Sequence, residues 1–155
     1  MSDLSLIKEL REKTGAGFLD CKNALSENDN NIEQSIDSLR KKGLAKATKK
    51  SSREANEGAV GFYFNENISI ILKINSETDF SAKSDTFLDF LDSIGKIALN
   101  TNDANLKLDD FLKVEDNGKN ISDLLNEMIA KIGENLIISE LKVFDNKETK
   151  VNYYI

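Results

Sequence analysis

A chain of 155 residues with 39% hydrophobic content and a net charge of −6 is globular rather than disordered and can bury one ordinary core, or a small one beside a medium one. It contains no histidine and one cysteine, Cys21, so His-dependent hydrolase triads, internal disulfides and Cys-rich metal sites are excluded, and a reducing compartment is expected. No apolar run approaches the roughly 20 residues of a membrane span, the N-terminus lacks a signal-peptide layout, and no GxxxxGK[ST] or GxGxxG phosphate cradle occurs, so the expectation is a soluble cytoplasmic protein. In chain order, the first segment reads as three short helices. Leu4, Leu6, Ile7 and Leu10 form one apolar stripe that stops at "TGAG", where Gly15 and Gly17 permit a tight turn. Phe18, Cys21, Ala24 and Leu25 share a face of the second helix, which makes Cys21 a small core residue rather than a reactive thiol. The third begins at "NNIE", with Asn30 as cap and Glu33 reaching back, buries Ile32, Ile36 and Leu39, and is ended or bent by Gly43.

Charge then changes abruptly. Residues 1–39 carry 4 basic and 8 acidic side chains and residues 56–155 carry 10 and 18, whereas "RKKGLAKATKKSSR", Arg40 to Arg53, has seven basic residues and no acid. The pattern places a boundary near residue 54 and predicts a basic helical linker over residues 44–55 between a module at 1–43 and a second at 56–155. A solvated linker is the plain reading of this run, and a nucleic-acid or ribosome contact the sharper one.

The second segment opens with a hairpin: Val60, Phe62 and Phe64 alternate, Asn65 to Asn67 turn, and Ile68, Ile70, Leu72 and Ile74 alternate again. A helix follows over 85–99 with Phe87, Leu91, Ile94 and Ala98 inward, and another over 120–131 with Ile121, Leu124, Leu125, Met128 and Ile132 inward, stopped by Gly133. "LIISELKVF" supplies a third strand, and a last one around "KVNYYI" is expected. The class is therefore α+β: three N-terminal helices, then a small antiparallel sheet packed against helices. Carboxylate pairs such as Asp109 and Asp110 follow from 27 acids in a soluble chain and carry no catalytic signal. At the mouth of the Ile68 strand, Thr78, Asp79 and Phe80 put a charge beside a large ring. Two readings stand on the residues alone: Phe80 folds back toward Phe87 or the Ser84 turn with Asp79 as a cap, or it faces a partner.

Three strings bear on that choice. A helical module with a glycine-rich first loop resembles the ubiquitin-associated fold, whose recognition surface includes that loop. More specifically, "LREKTGAGFLDCKNAL", Leu10 to Leu25, closely resembles the N-terminal signature of the elongation factor Ts family, R-x-x-T-G-A-G-hydrophobic-hydrophobic-D-C-K-x-A-L. The family's T-D-F motif and its K-I-G-E-N run follow in order as "ETDFSAK", Glu77 to Lys83, and "KIGENLII", Lys131 to Ile138.

The resemblance implies a guanine-nucleotide exchange factor for elongation factor Tu, in both its GDP-bound and nucleotide-free forms, with no bond-making chemistry, no cofactor, no metal of its own and no membrane. It implies that Arg11, Thr14, Gly15, Phe18 and Leu19 contact the partner's nucleotide domain, while Thr78, Asp79, Phe80 and Ser81 dislodge its Mg²⁺. Departures from the family pattern are Ser81 where Val is common, and Phe18–Leu19 where Met pairs are common. Typical members also continue into a second core subdomain, so a truncated or reduced form is expected, with an apolar edge at Tyr153, Tyr154 and Ile155 that promotes self-association. The rival functions are a helical adaptor using only residues 1–43, or a basic-helix nucleic-acid-binding module using Arg40 to Arg53, neither with exchange activity.

Overall fold

The computed structural model describes residues 4–148 and 150–154. The chain divides into two units, the residues up to Ser52 together with Asn126–Gly133, and Arg53–Leu125 together with the residues from Glu134 onward. Among the described residues no helix is long and apolar enough to cross a membrane.

The first unit holds α1 (Leu4–Thr14), α2 (Phe18–Glu27) and α3 (Ile32–Lys50). Ile7, Leu10, Cys21, Ala24 and Leu25 form its core, and Leu6, Ala16, Ile32, Ile36 and Leu39 pack on it half-buried. Two apolar residues of the expected stripes stay outside: Leu4 is exposed, and so is Phe18, which directly follows the Gly17 cap as the first residue of α2. The cap of α3 is Asn31, whose Oδ1 accepts from Gln34 N at 3.0 Å, rather than Asn30. Asn30 is used to close α2: at φ +63° it donates its N–H to Leu25 O, a left-handed stop that asparagine tolerates better than most residues. Nor does the helix end at Gly43. A mid-helix glycine costs about 1 kcal/mol, which the surrounding Lys, Leu and Ala residues and the buried Ala47 offset.

In the second unit β1 (Glu57–Phe64) and β2 (Ile68–Ser76) form the expected hairpin, with Asn65 Oδ1 accepting from both Asn67 N and Ile68 N in the turn. β5 (Ile137–Asp145) pairs antiparallel with the other edge of β2, giving the order β1-β2-β5. Ser139 is an extra residue in that ladder, where Lys73 pairs with Glu140 but Ile74 pairs with Ile138. Ile70, Leu72 and Ile74 are fully buried, and α5 (Asp85–Asn100) packs on β1 and β2 with Phe87, Phe90, Leu91, Ile94 and Ala98 inward.

The apolar alternation of β1 faces the other way. Val60, Phe62 and Phe64 lie opposite Lys73, Ile71 and Ser69, and Val60 and Phe64 are 61% and 60% exposed. The inward positions of β1 are Ala59, Gly61 and Tyr63. Glycine is needed at 61, and at 95 on α5, because a Cβ at either position would overlap the Tyr63 ring, whose hydroxyl donates to Leu91 O.

Between these elements lie a single turn α4 (Asp79–Ala82), a second short turn α6 (Leu108–Phe111), and a two-residue hairpin, β3 (Glu115–Asp116) and β4 (Lys119–Asn120), closed by Asn117 and Gly118 at positive φ. α7 spans Ile121–Ile132, with Asn120 Oδ1 accepting from Asp123 N. Ile121 is buried as expected, and so is Ile129, outside the expected stripe, whereas Leu124, Leu125, Met128 and Ile132 are half-buried. Residues 150–154 form no strand: Tyr153 instead lays its ring on Phe62 at 4.5 Å, and Ile155 lies outside the described residues.

Candidate functional site

Thr78, Asp79, Phe80 and Ser81 are brought together in the turn that leaves β2. Thr78 is the N-cap of α4, its Oγ1 accepting from Ser81 N at 3.3 Å, so the cap is Thr78 and not Asp79. Asp79 pairs with Lys83 at 2.8 Å one turn later. The hydrogen bond and charge of Lys83 hold the Asp79 carboxyl below the usual range, so the residue is anionic at neutral pH. Phe80 does not fold back on Phe87, which is itself fully buried elsewhere: its ring is 84% exposed, the most exposed phenylalanine of the described residues.

A four-residue helix has no stability of its own. What holds this one comes from residues 134–135, at the start of the chain's return into β5. Glu134 Oε2 accepts from the Glu77 and Thr78 N–H groups, each at 3.1 Å, and its Oε1 accepts from the Thr78 hydroxyl at 2.7 Å. Reciprocally, Glu77 Oε1 accepts from Asn135 N at 2.6 Å and pairs with Arg53 at 3.5 Å, while buried Asn135 donates its side-chain N–H to Arg53 O. Burial raises the Glu134 pKa, but the hydrogen bonds from Ser81, Thr78 and the Glu77 backbone outweigh it and leave the carboxyl below its ordinary value. On the α5 side, Ser84 caps the next helix and donates its hydroxyl to Ser81 O.

Sequence reasoning did not assign Glu134, Glu77 or Asn135 any part in this turn. The signal was nonetheless present in the strand pairing. β5 runs antiparallel beside β2 with Asn75 opposite Ile137, so the residues just before β5 must lie beside those just after β2.

The other predicted set, Arg11, Thr14, Gly15, Phe18 and Leu19, surrounds the α1–α2 turn of the first unit. Gly15 takes φ +65°, the left-handed region that ends α1, and donates its N–H to Arg11 O at 2.8 Å. Thr14 is a structural hub rather than a free group, since its hydroxyl donates to Leu10 O and accepts from Ala16 N. Burial pushes the Cys21 thiol up, against the Thr14 hydrogen bond and the Arg11 charge, in agreement with its place in the core. Phe18 and Leu19 are 47% and 66% exposed. A groove of about 480 Å³ runs beside them, lined by Leu4, Ile7, Arg11, Gly15, Ala16 and Phe18. Lys8 and Glu12 also line it, so its apolar floor is edged by charges of both signs. The two sets of residues belong to different units.

Of the basic run, Lys41 pairs with Asp37, Lys42 with Glu27, Lys46 with Asp20 and Arg53 with Glu77. Four of its seven cations thus already face carboxylates of this chain.

Residues 77–155 match the family model described as Elongation factor TS, about half of the chain. Among curated proteins named Elongation factor Ts, that of Allorhizobium ampelinum is 44% identical over 144 residues, covering 91% of this chain and 46% of its own length. Those of Magnetococcus marinus and Rhizobium etli are 40% and 41% identical, covering 97% and 100% of this chain and 50% and 51% of theirs. The chain spans about half the length of the curated relatives it matches.

Proposed function

The chain belongs to the elongation factor Ts family, and from that premise we propose that it is a guanine-nucleotide exchange factor for elongation factor Tu, acting in the cytoplasm during translation elongation. The observation that carries this reading is Phe80, an aromatic ring left 84% exposed at the tip of a braced turn beside an anionic Asp79. A buried phenylalanine serves a core; an exposed one on a held backbone is the kind of anchor on which interface energy concentrates. In this reading Thr78, Asp79, Phe80 and Ser81 disturb the partner's Mg²⁺ and phosphate site. Arg11, Thr14, Gly15, Phe18 and Leu19 form a second docking surface.

No bond-making group is needed. A factor that binds the nucleotide-free partner more tightly than the GDP-bound one must, by linkage, weaken GDP binding by the same free energy. Favouring the empty state about 10⁴-fold requires differential contacts of about 5.5 kcal/mol, which one anchor and a second surface can supply. Within this reading residues 1–43 are a ubiquitin-associated-like docking module, 44–55 a basic helical linker and 56–155 the core subdomain. The nucleic-acid alternative loses ground because four of the seven cations in the basic run are engaged by carboxylates. We also propose that the apolar C-terminal edge expected from the sequence, Tyr153 and Tyr154, joins Val60 and Phe64 on the outer face of the sheet in weak association with a second copy.

The test is release of a fluorescent GDP from elongation factor Tu in the presence of Mg²⁺. The full chain should accelerate release, and Phe80→Ala should remove most of the acceleration. No acceleration by the unaltered chain at saturating concentration would defeat the proposal.

A further inference from the structure

The exposed turn does not hold itself. Its own backbone bonds are few, Ala82 N to Thr78 O at 3.3 Å and Lys83 N to Asp79 O at 3.1 Å. We propose that Glu134 is the positioning residue of this turn: its carboxylate sets the backbone at Glu77 and Thr78 and thereby the direction in which Asp79 and Phe80 project. This rests on the reading of that turn as the partner-facing anchor.

The geometry assigns each carboxylate oxygen a task. Oε2 gathers two successive N–H groups, those of Glu77 and Thr78, which fixes the peptide planes at the exit of β2. Oε1 accepts a hydrogen bond from the Thr78 hydroxyl. With its proton directed to Glu134, the hydroxyl keeps its lone pairs free to accept from Ser81 N, so Glu134 orients the cap that starts α4. An anionic acceptor is suited to this because charge-assisted hydrogen bonds are shorter and stronger than neutral ones. The cross-brace runs both ways, since Glu77 in turn receives Asn135 N, next to Glu134. The Phe80 side chain makes no contribution to holding the turn: its ring is in solvent, and its placement is inherited from the backbone beneath it. Preorganising an anchor in this way removes the ordering cost that binding would otherwise incur.

The experiment compares Glu134→Ala, Glu134→Gln and Phe80→Ala in the full chain, reading amide hydrogen exchange in the free protein and stimulated GDP release from elongation factor Tu. Glu134→Ala should reduce protection at the Glu77 and Thr78 amides about tenfold or more while β2 and β5 keep theirs. The half-saturating concentration for GDP release should rise by a similar factor. Glu134→Gln should restore protection only in part, because its carbonyl oxygen can accept the two N–H groups while its NH2 cannot accept from the Thr78 hydroxyl and the charge is gone. Full protection at Glu77 and Thr78 in Glu134→Ala overturns the proposal. Equal loss of protection across β2 and β5 overturns it too, since the residue would then be general structure. If Phe80→Ala leaves GDP release unchanged while Glu134→Ala still unprotects the two amides, the clamp stands and the exchange reading falls.

Discussion

Phe80 has almost nothing to lose in the free protein. With its ring 84% exposed, Phe80→Ala should leave thermal stability within about 0.5 kcal/mol of the parent, the range of ordinary surface changes, whereas a core phenylalanine would cost about 3–5 kcal/mol. In the partner complex the same truncation should cost about 2 kcal/mol, a factor of about 30 in stimulated GDP release. Thermal melts and release rates on the one variant decide between these, because a loss of stability proportional to the loss of release would make the ring ordinary structure. Tyr63 is the opposite case, a ring held inside. Burial, with the Asp92 charge adding to it, pushes its hydroxyl up to about 12. The native state therefore holds the phenolic proton more tightly than the unfolded chain. Tyr63 contributes stability that is fully present below about pH 10 and is lost as pH rises toward 12. Denaturant midpoints measured from pH 8 to pH 12 should fall more steeply for the parent than for Tyr63→Phe, in which that titration is gone.

The contact of α5 with β1 depends on two missing side chains. A Cβ at Gly95 would overlap the Tyr63 ring, and one at Gly61 would overlap the same side chain at its hydroxyl. Two effects compete in Gly95→Ala. Alanine is favoured over glycine in a helix interior by about 1 kcal/mol, while overpacking of a filled interior costs about 1–3 kcal/mol and here also displaces the bond from Tyr63 to Leu91 O. The displaced ring has the sheet on one side and α5 on the other, so overpacking wins. Gly95→Ala should lower the melting temperature, and the double variant with Tyr63→Ala should recover part of the loss. An additive result in that cycle would show that the glycine is not there for the ring.

At the scale of the molecule, the sheet divides its apolar residues between two faces. Ile70, Leu72 and Ile74 go under α5; Val60, Phe64 and the Tyr153 ring remain on the other side, open to solvent. A second copy is the occupant proposed above for this face, and sedimentation should accordingly show a concentration-dependent shift toward dimer that Val60→Lys abolishes without loss of helical or strand signal. A monomer at the highest soluble concentration would remove that proposal and leave the GDP-release reading untouched.

Periodicity and local chemistry were legible in the residues alone. Alternation over 68–74 specified a strand, the Phe87, Leu91, Ile94 and Ala98 spacing specified one face of α5, Gly133 marked the end of α7, and three ordered strings pointed to the family. These are legible because they depend on neighbours within a few positions. A period of two says that a strand has two faces, yet not which one is covered. β1 offered Val60, Phe62 and Phe64 as its apolar set, and the fold instead turned Ala59, Gly61 and Tyr63 inward, where Gly61 and Gly95 leave room for the Tyr63 ring. Likewise the sequence pointed to Asn30 as the cap of α3, but α2 uses Asn30 to close itself and the cap falls to Asn31. The brace on the Thr78 turn lies furthest from local rules. Glu134 meets Glu77 and Thr78 across more than fifty residues of chain, and only the pairing of β5 against β2 brings them within hydrogen-bond distance. Short-range spacing encodes which elements form; which polar groups meet between them is decided when the strands align, since that register is a property of the assembled sheet.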